Sequence, residues 1–184
     1  MLFPAFHKQL QTLHIGAKKP ASYFIPFSSV EDALTGDREK SDRFTSLCGD
    51  WKICPFDSFE EIDRLFFSCG FPVAGLDTVT VPGNIQIYDR CKYDKPLYSN
   101  LMYPFPTDPP HVPDRNPAWA LLKDFDLSES ESAETHEIIF EGVASCFYLW
   151  INGHFVGYAE DSFTPSDFDL TPYIRETGNR LCVE

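Results

Sequence analysis

Long apolar runs and an excess of basic residues are both missing from this sequence. No stretch approaches the ~20 apolar residues of a membrane-spanning helix, and the N-terminal residues lack the apolar core of a signal peptide. Lysine and arginine number 15 against 28 aspartates and glutamates, so the net charge is −13. Nucleic acids and anionic membranes bind basic faces, so this balance argues against both as partners. We therefore expect a cytoplasmic protein.

Paired cysteine spacing is also missing. Six cysteines occur at irregular intervals, and no two of them form a C-x-x-C pair. This spacing does not predict a metal cluster. In a chain without an export signal it favours reduced, mostly buried thiols, although the even number leaves disulfide pairing as the alternative.

Sequence patterns of catalysis are scarce as well. The chain has no Ser/His/Asp arrangement, phosphate-binding glycine loop or His-x-x-x-His pair. Adjacent acidic residues occur at Glu60-Glu61 and Glu160-Asp161. Neighbouring residues of a strand point to opposite faces, so adjacency alone does not make the carboxylate pair of a glycosidase. We predict no catalytic residue in this chain.

Aromatic residues and chain breakers, in contrast, are abundant. The sequence contains 17 Phe, 8 Tyr and 3 Trp, together with 15 Pro and 10 Gly. Short apolar runs between such breakers are typical of a β-sandwich or barrel. The 184 residues are enough for one domain with a sizeable core.

The clearest local pattern is a β-hairpin. The aromatic and β-branched run Cys146–Ile151 is followed by Asn152-Gly153, the dipeptide that best suits a type I′ turn, and by the returning run His154–Tyr158. The polar residues Glu160-Asp161-Ser162 follow, where a sheet protein often places a binding group.

Further patterns predict strands and short helical connectors. Ser29 and Ser58 begin capping patterns of two short helices, and Thr171-Pro172 begins a helical turn that ends at Gly178. Prolines recur from residue 96 to residue 117, so this segment is predicted to be extended and unpaired. Strands are predicted at 49–55, 78–81, 118–127, 136–140 and 180–184. Since the last of these reaches the final residue, we expect the chain to be part of a longer protein.

Three blocks of sequence together resemble a known family. Residues 140–171 read FEGVASCFYLWINGHFVGYAEDSFTPSDFDLT, and residues 44–52 read FTSLCGDWK. Between them lie VPGN at 81–84 and the proline-rich residues 96–113, which include YSN and YPFP. In this order the blocks resemble the N-terminal sugar-binding domain of the glycoside hydrolase family 2 β-galactosidases. The resemblance implies an all-β, jelly-roll-type β-sandwich of two antiparallel sheets with short helical connectors.

The resemblance also implies a function and a site. Residues 43–184 would form the sugar-binding domain and residues 1–42 a partly ordered N-terminal arm. In the family the catalytic glutamates lie on a (β/α)8 barrel further along the chain, and the residues that match Asn100 and Asp161 touch the galactosyl group. Asp161 would also lie beside a sodium ion. The parent enzyme would be a homo-oligomer that binds magnesium and sodium and hydrolyses galactosides, whereas this fragment would need no cofactor of its own.

Other interpretations remain open at this point. Asn100 could form an Asx-turn among prolines, and Asp161 could cap the turn before Pro165. The chain could be a stand-alone carbohydrate-binding module, which would need an exposed aromatic platform, or a structural or oligomerisation domain. Departures from the family pattern, such as Ile85 and Phe163, leave the sugar and the details of barrel contact undecided.

Overall fold

Nine β-strands and a few short helical segments make up the described part of the chain. The computed structural model describes residues 4–90, 92–97, 100, 105, 108–113, 115–127 and 135–184. The strands are β1 (His14–Ile15), β2 (Gly49–Phe56), β3 (Asp77–Val81), β4 (Ala118–Phe125), β5 (Glu137–Phe140), β6 (Cys146–Ile151), β7 (His154–Glu160), β8 (Ser166–Asp169) and β9 (Asn179–Val183). The α-helix is α1 (Val30–Leu34), and 3-10 turns occur at Phe6–Lys8, Arg38–Lys40, Phe59–Glu61, Arg64–Phe67 and Ile85–Arg90.

 Outside these strands, Ala17 forms an isolated antiparallel bridge with Phe168 of β8.

Two antiparallel sheets make up the sandwich. The larger sheet has seven strands in the order β1-β7-β6-β9-β4-β2-β3, and the smaller one pairs β5 with β8. Every strand pair described is antiparallel. The prediction of an all-β sandwich of two antiparallel sheets is therefore confirmed, whereas the jelly-roll topology stays a prediction.

The predicted hairpin is present as β6 and β7. Asn152 and Gly153 connect the strands with φ of 53° and 84°, both positive as a type I′ turn requires. The Asn152 side chain is buried and binds Tyr173, which precedes β9, and Asn179 and Arg180 at the start of β9. The turn thus sets the register as far as the pair of Trp150 and Phe155, beyond which a β-bulge shifts it, and Asn152 also ties the hairpin to its neighbours.

Alternation along β6 divides the core into two clusters. Phe147, Leu149 and Ile151 face the smaller sheet, where Phe168 of β8 packs against them. Tyr148 and Trp150 point to the opposite face of the larger sheet. Both faces are buried, because successive strand residues alternate and each face has its own cover. Trp51 and Ile53 lie together in the first cluster, as predicted for one face of β2.

Aromatic residues from outside the sheets cover the second face. The ring of Phe67 stacks on Trp150 with centroids 3.9 Å apart and planes inclined by 7°. From the N-terminal segment, Phe6 lies 5.6 Å from the ring of Tyr158, and its N–H donates to the Tyr148 hydroxyl at 2.7 Å. The segment that precedes β2 therefore contributes to the core of the larger sheet.

Two glycines allow this N-terminal segment to approach the sheet. A Cβ atom on Gly16, whose φ is 70°, would lie 2.3 Å from the carbonyl oxygen of Val156. A Cβ on Gly157 would lie 2.3 Å from the oxygen of Ile15 and 2.5 Å from the Phe168 ring. Gly157 is thus the point where β1, β7 and the smaller sheet meet, and no larger residue fits there without displacing backbone.

The predicted helical connectors are only partly correct. Ser29 caps α1 by accepting a hydrogen bond from the N–H of Asp32 at 3.0 Å, which confirms that prediction. The capped helix predicted from Ser58 is wrong, since Ile62 is extended, with ψ of 118°, and divides the segment into two 3-10 turns. The predicted cap at Thr171 is also wrong. Asp169 accepts from the Thr171 N–H instead, and the Thr171 hydroxyl oxygen accepts from His136.

None of the five described cysteines forms a disulfide, and Cys91 lies outside the described residues. The expectation that the thiols are mostly buried is wrong, because Cys48 and Cys69 are exposed and, among the five, only Cys182 is fully buried. No described helix is both long and apolar enough to cross a bilayer.

Candidate functional site

The candidate site begins where β7 ends. Asp161 follows the last residue of β7 with a φ of 87°, in the left-handed region that aspartate tolerates better than most residues. Its Oδ1 accepts a hydrogen bond from the Phe163 N–H at 3.3 Å, and its Oδ2 accepts one from the Thr164 hydroxyl at 2.5 Å. The carboxylate therefore organises the loop that leads to β8, and it remains exposed to solvent.

These contacts favour the ionised form of the Asp161 carboxyl by lowering its pKa. The hydrogen bond from Thr164 is the main reason that its pKa is lowered, and the Phe163 N–H adds to the effect. His14 contributes more weakly, because the pairing of β1 with β7 places it opposite Ala159, diagonal to Asp161. A carboxylate that is charged and open to solvent can accept strong hydrogen bonds from hydroxyl groups.

The acidic residues next to one another in sequence do not act as pairs. Glu160 turns away from Asp161 and accepts a hydrogen bond from the Tyr158 hydroxyl at 2.5 Å. Glu60 forms an ion pair with Lys8 at 2.6 Å. Glu160 and Glu60 thus each have a partner of their own, and the absence of a catalytic residue from this chain stays a prediction.

Asn100, the second predicted site residue, lies in a turn and is exposed. Its neighbours at 98–99 and 101–104 lie outside the described residues. Among the hydrogen bonds of the described residues, none joins Asn100 to Asp161. Both side chains are on the surface rather than within either core, which leaves them available to a ligand or to another part of a longer chain.

Asp161 is also the predicted sodium ligand. Its oxygens are hard donors, and each accepts one hydrogen bond while retaining capacity for another partner. Within the described residues no group of three or more His, Cys, Asp or Glu could hold a metal ion. The carboxylate fits an alkali cation chemically, and the remaining ligands would have to be other oxygen donors.

The family described as "Glycosyl hydrolases family 2, sugar binding domain" matches residues 44–184, which include both sheets apart from β1. The chain belongs to this family. Its loop at Asp161 is therefore a loop of a sugar-binding domain.

Proteins similar to this sugar-binding domain include several bacterial β-galactosidases. One from Vibrio vulnificus is 38% identical over 91% of the chain and 15% of its own length. One from Priestia megaterium is 34% identical over 99% of the chain and 18% of its own length. One from Yersinia pestis is 40% identical over 86% of the chain and 15% of its own length. The sugar-binding domain thus spans less than a fifth of the length of these relatives.

Solved structures with a similar fold include β-glucuronidases. The enzyme from an uncultured Clostridium species has a TM-score of 0.52 at 17% identity, over 76% of this chain and 21% of its own. A Ruminococcus gnavus enzyme in complex with uronic deoxynojirimycin has a TM-score of 0.51 at 18% identity, over 76% and 21%. At this identity the likeness shows that the fold is shared.

One feature of the site was missed by sequence reasoning. Phe163, noted as a departure from the family pattern, is 94% exposed beside Asp161. Two other ring side chains of the hairpin are less available to a ligand, because Trp150 is buried and His154 stacks on Tyr173. The exposure of Phe163 follows from the turn at Asp161, and no periodicity in the sequence signals it.

Proposed function

We propose that this sugar-binding domain is the N-terminal part of a β-galactosidase and completes the galactose pocket of a retaining glycosidase. The proposal rests on one observation above the others. The family match covers residues 44–184, and relatives named β-galactosidase align with 86–99% of the chain at 34–40% identity. The catalytic barrel would lie elsewhere in the longer protein, as the lengths of those relatives allow.

In this proposal Asp161 and Asn100 bind the galactosyl group. Asp161 would accept hydrogen bonds from sugar hydroxyls, and the amide of Asn100 would both donate and accept. The exposed, ionised state of Asp161 supports this role, as does the surface position of Asn100. Neither residue would be catalytic, since a retaining mechanism takes its nucleophile and its acid from two carboxylates about 5 Å apart.

Replacement of Asp161 in the full-length protein tests the proposal. We expect Asp161→Ala to raise KM for a nitrophenyl galactoside and to lower kcat, because a charge-assisted hydrogen bond to the sugar is lost, and kcat/KM should fall about 30-fold or more. Asp161→Asn should retain the turn and recover part of the binding. Steady-state kinetics with each variant gives the result.

Asp63 supplies a matched control. It is an exposed aspartate whose Oδ1 accepts from the N–H two residues on, that of Leu65, at 2.9 Å. Asp63→Ala therefore removes the same kind of turn bond without the proposed sugar contact. Unchanged kinetics in Asp161→Ala, or an equal loss in Asp63→Ala, would remove Asp161 from the pocket.

The ions, location and assembly belong to the same proposal. Sodium would bind at Asp161, with further ligands from the rest of the enzyme, and magnesium would bind elsewhere in the longer protein. The enzyme would act in the cytoplasm as a homo-oligomer, and its fold would have jelly-roll connectivity.

A stand-alone carbohydrate-binding module is the second candidate, and the exposed ring of Phe163 favours it. Calorimetry of the 184-residue chain with galactose and lactose separates the two. Binding tighter than millimolar would support the module, whereas an accessory domain that provides only part of a pocket should bind more weakly.

A further inference from the structure

Phe163 is the most exposed large apolar side chain among the described residues. It lies in the loop between β7 and β8, two residues after Asp161. Single exposed hydrophobic residues are common on proteins and need no explanation by themselves. Phe163 does need an explanation, because it lies two residues from Asp161, the residue proposed to bind the sugar.

The loop holds the main chain of Phe163 in place. Its N–H donates to Asp161 Oδ1 at 3.3 Å, and the next residue, Thr164, donates to Asp161 Oδ2 at 2.5 Å. The main-chain N–H of Thr164 also lies 3.5 Å from the Asp161 carbonyl oxygen that accepts its hydrogen bond. One short turn thus carries both the carboxylate and, two residues later, the exposed ring.

The chemistry of this pair selects among possible ligands. The Asp161 carboxylate has no ion-pair partner among the described residues, so an apolar protein surface that covered this loop would bury an unpaired charge. Burying an unpaired charge is unfavourable. A pyranose avoids this cost because its hydroxyls can donate to the carboxylate while its C–H face lies on an aromatic ring.

We propose that Phe163 is a specificity-determining residue that stacks on the pyranose ring whose hydroxyls bind Asp161. This inference rests on the proposed function, since it takes Asp161 to be a galactose ligand. It adds a flat apolar contact to the polar contacts of Asp161 and Asn100. It also assigns a role to one of the residues at which the sequence departs from the family pattern.

The test is inhibition of the full-length enzyme by free galactose. Phe163→Ala should raise the inhibition constant about tenfold, the loss expected when an aromatic stacking contact is removed. Phe163→Tyr keeps the ring and should stay within about twofold of the wild type, whereas Phe163→Leu keeps apolar bulk without a flat face and should resemble the alanine variant. Phe24→Ala is the matched control, because Phe24 is 74% exposed in the segment before β2; it should have no effect.

The outcomes separate this inference from the proposed function. If Asp161→Ala raises the galactose inhibition constant and Phe163→Ala does not, the stacking role is wrong and the proposed function stands. If neither variant changes the galactose inhibition constant, both the stacking role and the proposed function are wrong. If Phe163→Ala lowers the melting temperature of the enzyme and leaves galactose inhibition unchanged, the ring packs against protein and the inference is overturned. Equal inhibition of the Leu and Tyr variants would overturn it as well.

Discussion

Replacing Asn152 should destabilise the domain more than its place in a two-residue turn suggests. Its Nδ2 donates to the carbonyl oxygen of Tyr173 and to Oδ1 of Asn179, both at 2.9 Å. Its Oδ1 accepts from the N–H of Arg180, also at 2.9 Å. The residue is 6% exposed, so water cannot replace these bonds readily.

The expected magnitude follows from these contacts. Each buried hydrogen bond contributes about 1 kcal/mol net, so Asn152→Ala should lose about 3 kcal/mol from the side chain. The φ of 53° adds about 1 kcal/mol, because alanine tolerates the left-handed region less well than asparagine. Asn152→Gly removes the same side-chain bonds without the backbone strain, and it should lie about 1 kcal/mol above the alanine variant in stability.

Urea unfolding measures both differences. Fluorescence of Trp51 and Trp150, which are 5% and 3% exposed, reports loss of the two cores. For an m-value of about 2 kcal/mol per molar, the midpoint of Asn152→Ala should fall by roughly 2 M. A midpoint within about 0.3 M of the wild type would refute the reasoning, and equal midpoints for the Ala and Gly variants would refute the part assigned to φ.

Two further predictions concern the N-terminal segment. Gly157→Ala should lower the stability by about 2 kcal/mol or more, since its Cβ would meet the Ile15 oxygen and the Phe168 ring; a thermal melt within 2 °C of the wild type would contradict this. Burial, with a contribution from Lys8, lowers the pKa of His7, whose Nδ1 lies 3.0 Å from the Tyr148 hydroxyl. As the pH falls, His7 is therefore protonated at a higher pH in the unfolded chain than in the folded protein. The contribution of His7 to stability is complete above the ordinary pKa of 6.5 and is lost as the pH falls below it. Unfolding from pH 7.5 to 5 should show a shallower decline for His7→Phe than for the wild type, and identical declines would exclude His7 as the cause.

The hairpin could be predicted because its information is local. An Asn-Gly dipeptide between aromatic and β-branched runs determines the turn, and the alternation of Phe147 and Tyr148 determines the two faces. The short helix at Ser29 is similar, since its cap and first turn are contiguous in sequence. The conformation of such elements depends little on contacts with the rest of the fold.

The segment after β2 could not be predicted in the same way. The sequence from Ser58 to Phe67 has the spacing of a capped helix, yet it forms two 3-10 turns. The break at Ile62 lets Phe59 approach Tyr148 while Phe67 stacks on Trp150. Packing on a flat sheet face has therefore overridden the local preference for a helix.

The contacts of the N-terminal segment and the exposure of Phe163 could not be predicted from the sequence either. β1 has only two residues, too few for any periodic pattern, and its position depends on the distant Gly157. For Asp161 the sequence allowed two interpretations. Its role in a turn is seen in the hydrogen bonds within this chain, whereas its role in sugar binding came from the family resemblance. The two are compatible, because a carboxylate that orders its own loop retains further acceptor sites.

The most direct test of the central claim is a crystal structure of the full-length enzyme with galactose bound. The account predicts an Asp161 carboxylate oxygen within about 3 Å of a sugar hydroxyl, with the amide of Asn100 at the same sugar. A galactose bound in the catalytic pocket with Asp161 and Asn100 both remote from it would contradict the account.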